Sequence, residues 1–125
     1  MFGFINNARA ITIADISLDL AENILQNHKN GTALILDIFN DNERTTAIKN
    51  ADIVISMLPA HLHLNIAKDC LTYSKSMVTA SYISEDMKGL HEEAIEKNLI
   101  FMNEIGLDPG IDHMSAMKVI DAIRD

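Results

Sequence analysis

The loop over residues 103–114, NEIGLDPGIDHM, carries the side chains whose types and spacing point most directly to chemistry. The apolar run LIFM before it predicts a short buried strand, and an amphipathic helix is predicted to begin near Asp112. Pro109 favours an extended conformation at Asp108, and Gly110 can supply the positive φ of a tight turn. The turn therefore presents the Asp108 carboxylate at the carboxyl end of a strand, where open α/β sheets bind ligands. A turn that only caps the helix is the alternative.

Polar side chains also stand at two other predicted strand ends. Asp15 ends the first strand, where a carboxylate can accept hydrogen bonds from an adenosine ribose and repel a 2′-phosphate. Ser81 and Tyr82 follow a later strand, and this pair of hydroxyls can hydrogen-bond an amino-acid carboxylate. Each position has a structural alternative, because Asp15 can be a negative charge at a helix start and the hydroxyls can belong to an ordinary turn.

The histidines and the cysteine favour structural roles. His61, His63, Asp69 and Cys70 are metal-ligand types, but His61 lies before the helix that carries the others. No metal site is therefore predicted. Cys70 lies in an apolar helical stripe and is not expected to act as a nucleophile.

Three ionisable residues flank the Asp-Pro-Gly turn: Glu104, Asp112 and His113. Helix capping is their expected role, and a general base at His113 is the alternative. No catalytic residue is named.

These groups must be positioned by an alternation of short strands and helices. The apolar runs predict strands over residues 10–15, 33–37, 53–57, 77–79 and 99–102. Ser17, Ser84 and the pair Asn40 and Glu43 have the types and spacing of helix N-caps. Parallel strands with continuous apolar runs predict an α/β sheet covered by helices on both faces.

The helices are predicted to turn apolar faces toward this sheet. The first places four side chains on one face: Ala21, Ile24, Leu25 and His28. The third, over residues 62–73, is predicted to bury five: His63, Ile66, Ala67, Cys70 and Leu71. Ser84 is predicted to cap one helix that runs through Met87, Leu90 and Ala94, and the last helix turns Met117, Ile120 and Ile123 to one side.

Composition limits the chain to one domain and excludes several partners. A length of 125 residues allows one core, and 48% apolar residues suffice for a covered sheet. A net charge of −8 argues against nucleic acid and acidic membranes. The lone Cys70 excludes an intrachain disulfide, and no apolar run approaches the ~20 residues of a membrane span. A cytoplasmic protein is predicted.

A dinucleotide-binding domain usually opens with a strand and a Gly-x-Gly-x-x-Gly turn, about 20 residues before an acidic residue that ends the second strand. Asp15 stands at the acidic position, but residues 1–7 contain one glycine and no such turn. Residues 1–125 are therefore expected to form one incomplete Rossmann-like domain, without its first strand, its glycine-rich turn or a substrate domain.

Three segments in order resemble one family: ADIVISMLP at residues 51–59, VTASYIS at residues 78–84, and NEIGLDPGIDH at residues 103–113. They are similar to the corresponding segments of the saccharopine dehydrogenases (L-glutamate-forming), also called saccharopine reductases. The likeness runs from about Ile11 to the C-terminus. Lysine 6-dehydrogenase and carboxynorspermidine dehydrogenase share the fold and match less well.

The resemblance implies a nicotinamide cofactor, NAD or NADP, and an amino-acid substrate. Positions matching cofactor contacts are Asp15, Ile16, Ser17, Asp37, Ile38, Leu58, Ala80, Ser81, Leu107, Asp108 and Pro109. Positions matching substrate contacts are Ser81, Tyr82 and Asp108. Family members that use NADP carry a basic residue where this chain has Ile16, which favours NAD or leaves the preference open. The Asp108 charge would suit the ammonium or secondary amine of the substrate.

The reaction that the resemblance implies is the oxidation of saccharopine to glutamate and 2-aminoadipate 6-semialdehyde. Acid and base groups are expected mainly in a second domain, so the chain is expected to bind cofactor weakly and to be inactive alone. One alternative is a fragment of a related dehydrogenase acting on lysine or a polyamine, and another is a non-enzymatic oligomerising module. Without the first strand, which is central in the usual strand order, two strand edges lack partners, which predicts a homo-oligomer. The alternative is that Phe2 to Ile5 fold in as a substitute strand.

Overall fold

The computed structural model describes residues 10–124, which form two compact units, one ending at Ala47 and the other beginning at Ile48. Both units are built from parallel strands and helices, so the α/β fold class predicted from the sequence is confirmed. Within residues 10–124, no helix is long and apolar enough to cross a membrane.

The first unit contains a strand–helix–strand arrangement. Strand β1 (Ile11–Asp15) pairs in parallel with β2 (Gly31–Ile35), and helix α1 (Leu18–Leu25) packs on both. The predicted cap is confirmed, because Ser17 Oγ accepts a hydrogen bond from the backbone N–H of Leu20, at 3.5 Å.

Helix α1 is shorter than its apolar spacing predicted. It ends at Leu25 because Gln26 adopts a left-handed conformation with φ of 47°. His28 therefore lies beyond the helix, and Ala21 is the residue that the helix buries. The strand that follows also begins and ends two residues before the predicted bounds. The β1–β2 register supplies the reason, because pairing runs from Gly31 to Ile35.

Helix α2 (Asp41–Asn50) begins with the capping pair predicted from the sequence. Asn40 Oδ1 accepts a hydrogen bond from the backbone N–H of Glu43, and Asn40 Nδ2 donates to Glu43 Oε1 at 2.7 Å. The other carboxylate oxygen of Glu43 accepts from the N–H of Asp37. The cap therefore also holds the loop that follows β2.

The second unit contains a parallel sheet in the order β3-β4-β5. Its strands are β3 (Ile53–Ser56), β4 (Ser76–Thr79) and β5 (Phe101–Met102). A 3-10 turn (Ala60–Leu62) precedes α3 (His63–Thr72), and three helices follow β4 or β5: α4 (Glu85–Lys88), α5 (His91–Glu96) and α6 (Ile111–Arg124). Ser56 lies opposite Thr79 in the register, so β3 and β4 end at one edge of the sheet.

Helix α3 packs on β3 and β4 and supplies much of the core of this unit. Its buried side chains are those predicted from the sequence: His63, Ile66, Ala67, Cys70 and Leu71. Met77 from β4 is also fully buried. The spacing of apolar residues thus correctly identified the inner face of this helix.

Several predicted boundaries in the second unit are wrong. Strand β3 ends at Ser56, so Leu58 lies in the loop after it. Strand β5 begins at Phe101, because its pairing with β4 starts there. The single helix predicted after Ser84 is two helices separated at Gly89, a residue with low helix propensity. Ser84 is nevertheless a cap, since its Oγ accepts from the N–H of Met87.

Each unit presents a strand edge without a partner among residues 10–124. Among these residues, β1 pairs with β2 alone, and β3 pairs with β4 alone. The alternative that residues 2–5 substitute for the first strand lies outside the described residues. The apolar side of α6 is also exposed, since its predicted inward residues are Met117 (48% exposed), Ile120 (40%) and Ile123 (78%).

Candidate functional site

The turn that carries Asp108 has the tight geometry predicted from its glycine and proline. The N–H of Gly106 donates to the carbonyl oxygen of Pro109 at 2.9 Å. Gly110 has a φ of +138°, and a Cβ there would collide with the backbone oxygen of Gly106. The Asp108–Pro109 peptide bond is cis. A glycine at position 110 is therefore required for this turn, which holds Asp108 exposed at its tip.

Asp108 is hydrogen-bonded to a tyrosine from another loop. The Tyr82 hydroxyl donates to Asp108 Oδ1 at 2.8 Å, although the two residues lie 26 positions apart. This hydrogen bond is the main cause that raises the pKa of Tyr82, and the charges of Asp108, Asp112 and Glu104 raise it further. The tyrosine thus stays protonated and keeps its donor directed at the carboxylate.

Backbone hydrogen bonds join the two loops on which this pair stands. The N–H of Glu104 donates to the Ser81 carbonyl at 3.1 Å, and the N–H of Ile105 donates to the Thr79 carbonyl at 3.2 Å. Glu104 Oε1 accepts from the N–H of Ile83. Glu104 therefore links two loops. The sequence had suggested that it caps the helix, and this prediction is wrong. Asp112 does act locally, because its Oδ1 accepts from the N–H of Gly110.

A buried polar cluster, which we call the His63 cluster, lies behind these loops and consists of Ser56, His63, Thr79 and Ser81. His63 Nδ1 lies 2.8 Å from Ser56 Oγ. His63 Nε2 lies 2.8 Å from Ser81 Oγ and 3.0 Å from Thr79 Oγ1. Three hydroxyls from the ends of β3 and β4 thus surround one imidazole at the start of α3.

Burial lowers the pKa of His63 below its usual value of 6.5. Its ring therefore stays neutral at neutral pH, with one N–H and one lone pair for the three surrounding hydroxyls. The sequence predicted that His63 is buried, but it did not predict the cluster. The available signal was the combination of a buried helical histidine with hydroxyl residues at two adjacent strand ends.

The sequence-predicted positions in the second unit are only partly brought together. Ala80 is close to the turn, since a Cβ on Gly106 would lie 3.0 Å from the Ala80 Cβ. Pro109 is buried beneath the turn, and Leu107 is 68% exposed beside it. Leu58 is half-buried in the loop after β3. Ala80, Ser81, Tyr82, Leu107, Asp108 and Pro109 form one continuous group.

The remaining predicted cofactor positions belong to the first unit. Asp15 Oδ1 accepts a hydrogen bond from the N–H of Ser17 at 2.9 Å, which fixes the carboxylate at the end of β1. Ile16 is 76% exposed beside it. Asp37 Oδ1 accepts from the N–H of Phe39, and the carbonyl of Ile38 accepts from the Arg44 guanidinium. Two carboxylates thus stand at the carboxyl ends of the paired strands β1 and β2.

The other chemically active residue types form no second site in the described part of the chain. Residues 10–124 contain no group of three side chains placed to hold a metal ion. Cys70 is buried, and burial, with the neighbouring Asp69 charge, raises the pKa of its thiol to about 12. Such a thiol is a poor nucleophile at neutral pH.

Comparison with known proteins identifies relatives along most of the chain. The family model described as the saccharopine dehydrogenase NADP binding domain matches residues 4–102. A saccharopine dehydrogenase (NADP+, L-glutamate-forming) from Schizosaccharomyces pombe is 36% identical over 114 residues, which cover 91% of this chain and 25% of that protein. An alpha-aminoadipic semialdehyde synthase from Arabidopsis thaliana is 36% identical over 111 residues, covering 89% of this chain and 10% of that protein.

A solved structure has the same fold. It is the apo histidine-tagged saccharopine dehydrogenase (L-Glu forming) from Saccharomyces cerevisiae, with a TM-score of 0.79 and 33% sequence identity. The similarity covers 95% of this chain and 26% of that chain. The chain therefore spans about a quarter or less of the length of these relatives.

Proposed function

The chain belongs to the saccharopine dehydrogenase family, and we propose that it supplies the dinucleotide-binding part of an enzyme that oxidises saccharopine to glutamate and 2-aminoadipate 6-semialdehyde. The observation that carries this proposal is the convergence of Ser81, Tyr82 and Asp108 beside the ends of β4 and β5. The carboxyl ends of parallel strands are where such folds bind ligands.

A nicotinamide dinucleotide is the cofactor of this family, and it would accept the hydride from the substrate carbon next to the secondary amine. The residues fit such a group in the first unit, because a carboxylate fixed at the end of β1 is suited to a ribose hydroxyl pair. In the second unit, Ala80 lies against Gly106, where a Cβ would be 3.0 Å from the Ala80 Cβ, so this junction beside the Asp108 turn needs small residues. Asp15 and Asp37 would hold the adenosine part.

Two observations bear on the choice between NAD and NADP, and they point in different directions. The family model and the yeast relatives carry NADP in their names. In this chain the exposed side chain next to Asp15 is Ile16, which offers no positive charge to a 2′-phosphate. We propose NAD(P) as the cofactor class, with weaker discrimination against NAD than a basic residue would give.

The protein side of the proposed chemistry is electrostatic positioning. The exposed Asp108 carboxylate would attract the amine of the substrate, and the Tyr82 hydroxyl would hold that carboxylate in one orientation. The Ser81 hydroxyl would hydrogen-bond a substrate carboxylate. We propose that the groups that move protons lie outside the part of the relatives that this chain matches, and that the chain is therefore inactive alone.

The test is an NMR titration of the 15N-labelled chain with saccharopine, lysine and carboxynorspermidine, each alone and with NADPH. We expect saccharopine to shift the amides of Ser81, Tyr82 and Asp108, and Asp108→Asn to abolish those shifts. Asp86→Asn, a change of the same type on the exposed start of α4, is the matched control. Shifts with lysine or carboxynorspermidine but not with saccharopine would support a related amine dehydrogenase, and no shift with any of them would contradict the proposal.

Cofactor affinity supplies a second measurement. The chain contains no Gly-x-Gly-x-x-Gly turn, which normally presents backbone N–H groups and a helix N-terminus to the pyrophosphate. We therefore expect NADH and NADPH to bind weakly in isothermal titration calorimetry. A dissociation constant at or below about 10 μM, which corresponds to about 7 kcal/mol, would show that the expectation is wrong.

A further inference from the structure

We propose that His63 is a positioning residue, whose neutral ring holds the Ser81 hydroxyl in one orientation toward the substrate carboxylate. The role of Ser81 toward the substrate rests on the proposed function. The contacts of the His63 ring with Ser56, Thr79 and Ser81 do not depend on that function. His63 is 3% exposed, so its ring cannot itself reach a ligand in solvent. Ser81 is only half-buried, so its hydroxyl connects the buried ring to the accessible loop.

The first step of the argument concerns what a neutral imidazole can offer. It carries a hydrogen on one nitrogen and a lone pair on the other. Within residues 10–124, the hydrogen-bond partner of the Ser56 hydroxyl is His63 Nδ1, at 2.8 Å. Whichever of these two atoms donates, the ring must play the opposite role at Nε2, which lies 2.8 Å from Ser81 Oγ. The roles of Ser56 and Ser81 are therefore linked through the ring: if Ser56 donates to Nδ1, Nε2 carries the hydrogen, and if Ser56 accepts, Nε2 offers its lone pair.

The second step concerns the freedom of the Ser81 side chain. A serine side chain at a loop has three staggered rotamers of similar energy unless a partner selects one. The ring nitrogen is such a partner, and the Ser81 N–H also donates to Thr79 Oγ1 at 3.3 Å. Thr79 Oγ1 in turn lies 3.0 Å from the same Nε2. The Ser81 hydroxyl therefore contacts the His63 ring directly, and the Ser81 backbone N–H contacts it through Thr79.

The third step concerns the neighbouring loop. The Ser81 carbonyl accepts from the N–H of Glu104, in the loop that leads to Asp108. Tyr82, the next residue, donates to the Asp108 carboxylate. Ser81 therefore lies beside the pair proposed to bind the amine, in a loop that backbone hydrogen bonds hold to the Asp108 loop. A rotation of Ser81 would move a hydroxyl within the proposed site, and not only within the core.

Two substitutions of His63 separate positioning from packing. Glutamine places a polar group near the position of Nε2, which faces Ser81, whereas asparagine places one near Nδ1, which faces Ser56. If His63 positions Ser81, His63→Gln should preserve the single Ser81 rotamer and His63→Asn should lose it. Cys70→Ala, a buried change on the same helix, controls for loss of stability, and His61→Gln controls for loss of an exposed histidine.

The experiment measures the Ser81 rotamer by three-bond NMR couplings in the full chain, together with the 15N shifts of the His63 ring. We expect one Ser81 rotamer and one ring tautomer in the unchanged chain, in His61→Gln and in Cys70→Ala. Averaged Ser81 couplings in the unchanged chain, averaged ring tautomers, or a single rotamer retained in His63→Asn would overturn the proposal. If His63→Asn fails to fold, Ser56→Ala is the smaller change, because it leaves the ring in place. Without the Ser56 partner at Nδ1, the ring should interchange between its two tautomers, and a single tautomer in Ser56→Ala would overturn the proposal.

A saccharopine titration then distinguishes this inference from the proposed function. We expect the affinity of His63→Asn to fall about tenfold, the size of one lost hydrogen bond, and that of His63→Gln to fall less. Equal losses in both variants would contradict the positioning role. If the unchanged chain shows one Ser81 rotamer but binds no saccharopine, the proposed function fails while the ring still orients the hydroxyl.

Discussion

At the scale of single residues, the candidate site combines one exposed pair with one buried cluster. The exposed pair, Tyr82 and Asp108, comes from side chains that the sequence had identified. The buried His63 cluster was not predicted, because its contacts join residues 7, 16 and 18 positions apart through the tertiary fold. Residue type and local spacing identify a strand end or a helix face, but they do not report which side chains meet across the sheet edge.

The first residue-scale prediction concerns Asp108, whose replacement by alanine should impair ligand binding much more than folding. The carboxylate is exposed, and surface substitutions usually change stability by no more than about 0.5 kcal/mol. Thermal unfolding of Asp108→Ala measures the stability, and saccharopine binding or turnover in a complete enzyme measures function. A strong shift of unfolding with unchanged binding would show that Asp108 is structural.

Cys70 provides the second residue-scale prediction. Its thiol is fully buried and its pKa is raised to about 12, so almost none of it is thiolate at neutral pH. We expect a thiol reagent such as DTNB to label the native chain far more slowly than the chain in denaturant. Rapid labelling under native conditions would mean that α3 opens readily or that Cys70 is accessible.

At the scale of elements, the sequence predicted strand order along the chain, three helix caps and the inner face of α3. These features depend on local signals, namely apolar spacing and the hydroxyl, amide and carboxylate groups next to helix starts. Helix ends were less predictable. Gln26 ends α1 in a left-handed conformation that nothing in its residue type demands, and Gly89 interrupts a helix whose apolar spacing continues beyond it.

The prediction at this scale concerns the start of α3, where a lowered His63 pKa links stability to pH. Well above pH 6.5 the ring is neutral in both the folded and the unfolded chain, so the stability of the neutral cluster is fully present. As pH falls below 6.5, the unfolded chain takes up a proton before the folded chain does, and stability decreases. Stability of the unchanged chain should therefore fall more steeply between pH 7 and about 5 than that of His63→Gln.

Thermal unfolding of both proteins across this pH range measures the difference in slope. The control is His61→Gln, which removes an exposed histidine from the preceding 3-10 turn and should keep the slope of the unchanged chain. Parallel slopes for the unchanged chain and His63→Gln would show that the pKa of His63 is the same in the folded and the unfolded chain, which would contradict the prediction.

At the scale of the whole molecule, both units carry unpartnered apolar surface among the described residues. Ile55 on β3 is 66% exposed and Ile35 on β2 is 58% exposed, although both belong to strands of parallel sheets, which are normally covered. The sequence predicted these strands as parts of one parallel sheet. Residues 10–124 instead contain a two-stranded sheet and a three-stranded sheet. Apolar strand edges of this kind pair readily with other chains.

We therefore predict that the chain forms a homo-oligomer, in which a partner copy pairs with the edge of β1 or β3. Unpaired backbone N–H and C=O groups at an apolar edge are costly, and pairing with a second copy satisfies them. Light scattering after gel filtration at micromolar concentration measures the assembly. Ile55→Lys should shift the assembly toward monomer, because a charge on an exposed edge strand opposes pairing. Ile95→Lys, at a residue of α5 that is 58% exposed, should leave the assembly unchanged. A stable monomer that unfolds cooperatively would refute the prediction and would mean that the chain satisfies these edges by itself.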